Sequence, residues 1–168
     1  HMMLRTIALS DQVSFPWFAP AGTRRGGITN ASSTGYINAE GEFVSTALNE
    51  GQRDTLYTNK VNPITFITGA GLVNYGQKTR FAGTSSLDRI NVSRLVIYLR
   101  SQLNKLARPF VFEPNDKITR DEIKAQAESL LLELVGNRAI FDFLVVCDES
   151  NNTPTRIDRN ELYLDIAI

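Results

Sequence analysis

Histidine is almost missing. The only one is His1, which stands beside Met2 in what reads as a two-residue cloning scar, so residues 1–2 are set aside in reasoning about the fold. Without another imidazole, a histidine general base, a Ser-His-Asp triad and histidine-ligated zinc are excluded from the rest of the chain. Cysteine is as scarce: Cys147 is alone, so no intramolecular disulfide forms. Its place at the end of an apolar run reads as a packed thiol rather than a nucleophile, which fits a reducing compartment. No apolar run approaches the roughly 20 residues of a membrane-spanning helix, and no signal-peptide pattern opens the chain. Neither sign of charge is in excess, since 18 Lys and Arg balance 18 Asp and Glu. That balance removes any global attraction to nucleic acid or anionic membrane and leaves only local patches.

What is present suits one domain, residues 3–168, with a candidate sub-boundary near 85–90. Leu4 to Leu9 is too short to judge alone and could finish a helix. Ser14 to Gly27 carries Pro16, Pro20, Gly22, Gly26 and Gly27, which argues against regular structure there; Trp17 and Phe18 are expected to pin the loop to a core, with a binding hot spot as the alternative. Alternation around Asn38-Ala39-Glu40-Gly41 predicts an irregular hairpin. Asn49 is placed to cap a short helix ending near Asn59, and Ile64 to Tyr75 predicts a second hairpin about Gly69-Ala70-Gly71. That glycine pair is no phosphate loop, because strand and turn follow it instead of a helix N-terminus.

Asn91 to Ala107 places Val92, Leu95, Val96, Leu99, Leu103 and Leu106 on one helical face. Arg94, Arg100 and Lys105 lie on its other flank, which is either a solvated face or a contact for an acidic partner. Pro109 and Pro114 predict an extended crossing through Phe110, Val111 and Phe112. Thr119-x-x-Glu122 then reads as a capping box opening a helix of about 119–136 that ends at Gly136. The expected fold is α+β, a mixed or antiparallel sheet layered on these two main helices.

The last stretch is the most particular. Ile140 to Cys147 reads as one strand and Leu162 to Ile168 as another, with Leu162, Leu164, Ile166 and Ile168 on one face and Tyr163, Asp165 and Ala167 on the other. Nothing in this second strand protects a sheet edge, so the sheet is expected to be incomplete there. Between the strands, Asp148, Asn151, Asn152, Pro154, Asp158 and Arg159 are expected to form a rigid structural turn held by Asx hydrogen bonds. Asp148, Ser150 and Asn152 sit at the first three ligand positions of a calcium loop, but Thr153 and Arg159 replace its glycine and its bidentate acid. Asp158, Arg159 and Glu161 read as a salt-bridge network rather than a catalytic carboxylate pair. No cofactor, metal ligand set or catalytic residue is identified, and the chain is not expected to be an enzyme. The alternative of another class is a small-ligand enzyme or binding domain using the 69–76 hairpin and the 148–161 turn. A deep apolar pocket would favour that alternative, and an open sheet edge with a flat basic helix face would count against it.

Cys147-Asp148, Asn151-Asn152-Thr153-Pro154 and Ile157-Asp158-Arg159-Asn160-Glu161 resemble the C-terminal region of contractile tail sheath proteins of tailed bacteriophages. Trp17 to Gly22 with Arg25-Gly26, Asn62-Pro63-Ile64 with Tyr75-Gly76 and Thr79, and Asp88 to Val92 with Arg94-Leu95 are similar to sheath motifs in the same order. The resemblance implies a structural subunit of the virion, assembled in the host bacterial cytoplasm, whose hexameric rings stack around a tail tube above a baseplate and contract without nucleotide. It also implies that the chain is an inner domain with linking arms and outer domains absent, monomeric or weakly self-associated by itself. Neighbouring subunits would then add strands along Leu162, Tyr163, Leu164, Ile166 and Ile168, while Arg94, Arg100 and Lys105 would face the tube. No nucleic-acid partner and no membrane insertion are implied.

Overall fold

The computed structural model describes residues His1–Ile168 and divides them into two units, His1–Val96 and Ile97–Ile168. In the first unit, α1 (Met2–Val13) buries Thr6 and Ser10; of the residues set aside at the start, Met2 is its first residue and His1 its N-cap. The following proline- and glycine-rich stretch is pinned by Trp17, which is buried and stacked on Phe15 with ring centroids 4.7 Å apart. Regular structure intrudes on that stretch as one helical turn, α2 (Gly22–Arg25), from which Arg25 lies 4.8 Å over the Phe18 ring. Trp17 is the expected anchor, whereas Phe18 is half-buried and packs within its own stretch.

A hairpin follows, β1 (Gly35–Ile37) and β2 (Phe43–Ser45). Its turn is organised by Asn38, whose Oδ1 accepts from the amides of Glu40 and Glu42. The helix α3 (Glu50–Thr58) carries a reciprocal cap between Asn49 and Gln52, which satisfies two amides that have no partner inside the helix. Next come β3 (Ile64–Ile67) and β4 (Gly71–Asn74), antiparallel with Ile64 opposite Asn74. Both edges of β4 are occupied: on the side away from β3, Ile28 donates to Leu72 and Asn74 donates to Gly26, each at 2.8 Å. This arrangement needs Gly26, since a Cβ there would stand 2.7 Å from the Asn74 carbonyl oxygen. Leu72, Val73 and Asn74 are accordingly among the most buried residues.

The long helix α4 (Ile90–Ala107) contains the unit boundary. Leu95 and Leu99 are buried, Val92, Val96, Leu103 and Leu106 are half-buried, and Arg100, Ser101, Asn104 and Lys105 are exposed, as the helical period requires.

In the second unit, the extended crossing expected at Pro109 is instead a 3-10 turn over Arg108–Phe110 that continues through a helical Val111. Proline's fixed φ suits the first turn of a helix as well as an extended segment, and Val111 and Phe112 are exposed rather than drawn into a sheet. The helix α5 (Lys117–Gly136) begins two residues before the expected start and is capped by Asp116, whose Oδ1 accepts from the Thr119 amide at 2.8 Å. Aspartate matches or exceeds threonine as a cap and adds a negative charge at the positive end of the helix dipole, so Thr119 falls inside the first turn. Ile123, Ala127, Leu131 and Leu134 form its buried stripe.

Gly136 is the last residue of the helix, as expected, but it is not the cap, which is Asn137. The left-handed position is Arg138, φ 60°, from which Arg138 donates to Val135 and Ala139 to Leu134. Lys60 and Asn160 occupy the same position after their helices, with the same pair of closing bonds. All three left-handed residues other than glycine thus cap helix C-termini, where two carbonyls gain partners in return for the backbone cost.

The unit closes with β5 (Leu144–Val146), the short helix α6 (Pro154–Asp158) and β6 (Asp165–Ala167); Leu144, Val145 and Val146 oppose Ala167, Ile166 and Asp165. The class is α+β with antiparallel strands, but the expected layered sheet is divided into three two-stranded ladders. Each strand has three or four residues, and each ladder joins sequence neighbours across one connection.

Candidate functional site

Asn151 and Asn152 are the buried centre of the β5–β6 region. Asn152 presents its carboxamide to the backbone of Tyr163, Oδ1 accepting from the amide at 2.8 Å and Nδ2 donating to the carbonyl at 2.9 Å. Asn151 Nδ2 donates to the carbonyls of Val146 and Tyr163 and to Asp165 Oδ2, and its Oδ1 accepts from the Asp148 amide. The two side chains thus tie the end of β5 to the approach of β6.

Three residues that the sequence reading did not identify complete the arrangement. Asn115 donates to Asn152 Oδ1 at 3.3 Å and to the Glu161 carbonyl at 2.7 Å. Its own Oδ1 accepts from Arg120 Nη1 at 2.9 Å. Arg156 donates to the Asn151 carbonyl and lies 3.8 Å over the Tyr163 ring. Asn115 carried one signal, its place just before the Asp116 cap, whereas Arg120 and Arg156 carried none.

The 148–159 segment, expected as a turn, holds the short helix α6. Pro154 opens α6, Asp158 closes it and Arg159 is its C-terminal cap. The expected salt-bridge network of Asp158, Arg159 and Glu161 does not form. The ion pairs of this structure join Asp88 to Arg89, Asp11 to Arg94 and Lys124 to Glu128, and Glu161 instead accepts from the Tyr163 hydroxyl at 3.3 Å. Asp158 and Arg159 are exposed, where water solvates each charge as well as a partner would.

Asp148 is committed to Ser150, its Oδ1 accepting from both the hydroxyl and the amide. Those bonds hold its carboxyl below the usual carboxylate range, as the Thr119 amide does for Asp116. Burial pushes the Cys147 thiol up, which disfavours the thiolate that nucleophilic chemistry needs. An open cleft of about 330 Å³ lies beside this turn, lined by Lys117, Arg120, Asp121 and residues 147–150. Two of its polar groups are committed to their own neighbours, Asp148 to Ser150 and Arg120 to Asn115.

The β5–β6 ladder leaves an open edge whose polarity can be derived. Tyr163 turns its amide and carbonyl toward Asn152, on the β5 side. Alternate residues of a strand share a direction, so Asp165 and Ala167 also face β5, while Leu164 and Ile166 turn theirs outward, where no strand lies. Side chains alternate as expected, with Leu162, Leu164 and Ile166 half-buried and Tyr163, Asp165 and Ala167 exposed; Ile168 departs and is exposed.

The basic flank of α4 is not uniform. Arg94 is in an ion pair with Asp11 at 2.5 Å, its side chain 20% exposed. Arg100 and Lys105 are exposed.

Residues 83–168 match the family model described as the phage tail sheath C-terminal domain. The chain is 37% identical over 161 residues to the tail sheath protein of Vibrio phage KVP40, covering 96% of this chain and 22% of that protein. It is 38% identical over 157 residues to the tail sheath protein of Enterobacteria phage T4, covering 92% of this chain and again 22% of that protein. It therefore spans about a fifth of the length of these relatives. Among solved structures, the fold is similar to a chain of the anti-feeding prophage baseplate in the contracted state, with TM-score 0.82, 20% identity, and coverage of 99% of this chain and 46% of that one. It is also similar to a chain of the contracted sheath complex of an extracellular contractile injection system, with TM-score 0.79, 18% identity, and coverage of 99% and 45%. The matched half of the chain and its identity to sheath proteins show that this chain belongs to the phage tail sheath family.

Proposed function

We propose that this chain is the inner module of a sheath subunit that polymerises around a tail tube, and that its contribution is mechanical: it joins neighbouring subunits by accepting their strands along the outer edge of β6. The observation that carries this reading is the unpaired outer edge of β6, held rigid on its inner side by Asn151 and Asn152. An edge of this kind supports strand addition, in which backbone hydrogen bonds supply affinity and alternate side chains supply specificity. Leu164 and Ile166 provide the backbone groups, and Leu162, Tyr163 and Ile168 flank them.

In the assembled particle the module works in hexameric rings between tube and baseplate, within the virion tail, after assembly in the host cytoplasm. Contraction proceeds without nucleotide or cofactor and the module catalyses no reaction. Arg100 and Lys105 face the tube, where exposed charge pairs are weak and salt-sensitive enough to release on contraction. Arg94 joins them only by giving up Asp11. By itself the chain is monomeric or weakly associated.

The test uses a full-length sheath polypeptide carrying this sequence, with and without proline at Leu164 and Ile166, examined by electron microscopy for striated sleeves. Proline removes the amide that an added strand needs. Sleeves are expected from the parent and lost in the variant, and normal sleeves from the variant would overturn the reading.

A further inference from the structure

Strand addition requires that the receiving strand present a definite set of backbone groups, because a slip of one residue exchanges the inward and outward sets. The β5–β6 ladder is short for this task. It has three residue pairs, and Val145 is the one residue among them that is buried. Continuing its register, Val146 opposite Asp165, would bring residue 148 opposite Tyr163. That place is not filled by backbone. After Cys147 the chain leaves the strand, and Asp148 turns its carboxylate to Ser150.

We propose that the Asn152 side chain occupies this place as an additional rung of the ladder and so specifies which backbone groups of β6 remain free for a neighbour's strand. A carboxamide has one acceptor and one donor in the same plane, the complement of a backbone amide and carbonyl. Asn152 meets Tyr163 with both, at 2.8 and 2.9 Å. Its Nδ2 also reaches the Asp148 carbonyl at 3.3 Å and Asn151 Oδ1 at 2.9 Å, tying the rung to the end of β5. Asn115 supports Oδ1 from the other side and is itself held by Arg120, which is only 6% exposed. An unbroken series of hydrogen bonds therefore runs from the first turns of α5 through Asn115 and Asn152 to β6. Because Tyr163 is held inward, Leu164 and Ile166 are the residues that must receive the added strand. Asn152 is in this sense a positioning residue for assembly, and the inference rests on the strand-addition reading above.

The test is residue-resolved amide hydrogen exchange on the 168-residue chain and on sleeves of the full-length polypeptide. In the free chain, Tyr163, Asp165 and Ala167 are expected to be protected and Leu164 and Ile166 to exchange freely. N152D keeps the acceptor and removes the donor, and N152L removes both at similar volume. Each should lower protection at Tyr163 by about tenfold or more, the loss of one or two net hydrogen bonds. The α5 core amide of Leu131 should not change, which separates a lost rung from general destabilisation; should either variant unfold, N115A, which leaves Asn152 in place and removes its support together with the bonds to Glu161 and Arg120, is expected to lower Tyr163 protection by a smaller factor. Unchanged protection at Tyr163 in the folded variants, or the opposite alternation in the free chain, would overturn the inference. In sleeves, Leu164 and Ile166 should become protected. If they stay open while the Asn152 variants still release Tyr163, strand addition fails and the rung stands.

Discussion

Arg94 and Asp11 lie 83 positions apart and meet with Nη2 at 2.7 and 2.5 Å from the two carboxylate oxygens. The bond ties the C-terminal part of α1 to the first turns of α4. Its arginine is four-fifths buried while the aspartate is about one-third exposed, so solvent screening discounts the Coulombic gain. D11N is expected to cost about 1 kcal/mol, with the cost shrinking as salt rises. Urea denaturation of wild type and D11N at two salt concentrations checks this.

Leu131 and Leu132 are adjacent on α5 and opposite in environment, the first fully buried and the second 61% exposed. Leu131→Ala should cost about 2–5 kcal/mol through lost transfer energy and the cavity left behind. Leu132→Ala should stay within about 0.5 kcal/mol. Chemical denaturation of the two variants measures the contrast.

Acid should weaken the fold through Asp116 and Asp148. Both carboxyls lie below their ordinary value of 3.8 in the folded state, so the unfolded chain binds their protons more readily. Their contribution is complete above that value and is lost as pH falls through the lower folded pKa values. Thermal melts across pH 2–6 should show this loss, and D116N with D148N should flatten it.

At the alkaline end the sign reverses. The buried Cys147 thiol ionises less readily folded than unfolded, so its contribution is present below the ordinary thiol pKa and declines as pH rises through the raised folded value. A thiol reagent at pH 8 should react slowly with the native chain and rapidly after denaturant is added.

Local patterns were legible before the structure. Asn49 stands directly before its helix, and Val92, Leu95, Val96, Leu99, Leu103 and Leu106 follow one helical stripe, so each can be read within a short window. The start of α5 was misplaced because Asp116 and Thr119 are both competent caps, and the choice between them depends on the backbone leading in. The turn of 148–159 was recognised by composition, but its bonds were not, because Asn152 meets Tyr163 eleven positions on and Asn115 thirty-seven positions back. Arg156 was unreadable for a related reason, since nothing local distinguishes an arginine that stacks on tyrosine from one that is solvated. The division into three ladders was hidden too, because strand alternation states which face is inward and not which strands are neighbours.

Neighbouring subunits are proposed to pair with the outer edge of β6. A reconstruction of sleeves from a full-length polypeptide carrying this sequence, at a resolution that separates strands spaced about 4.8 Å apart, tests it most directly. A strand from another subunit is expected to be hydrogen-bonded to Leu164 and Ile166 in both extended and contracted sleeves. A β6 whose outer edge faces solvent in both states would contradict it.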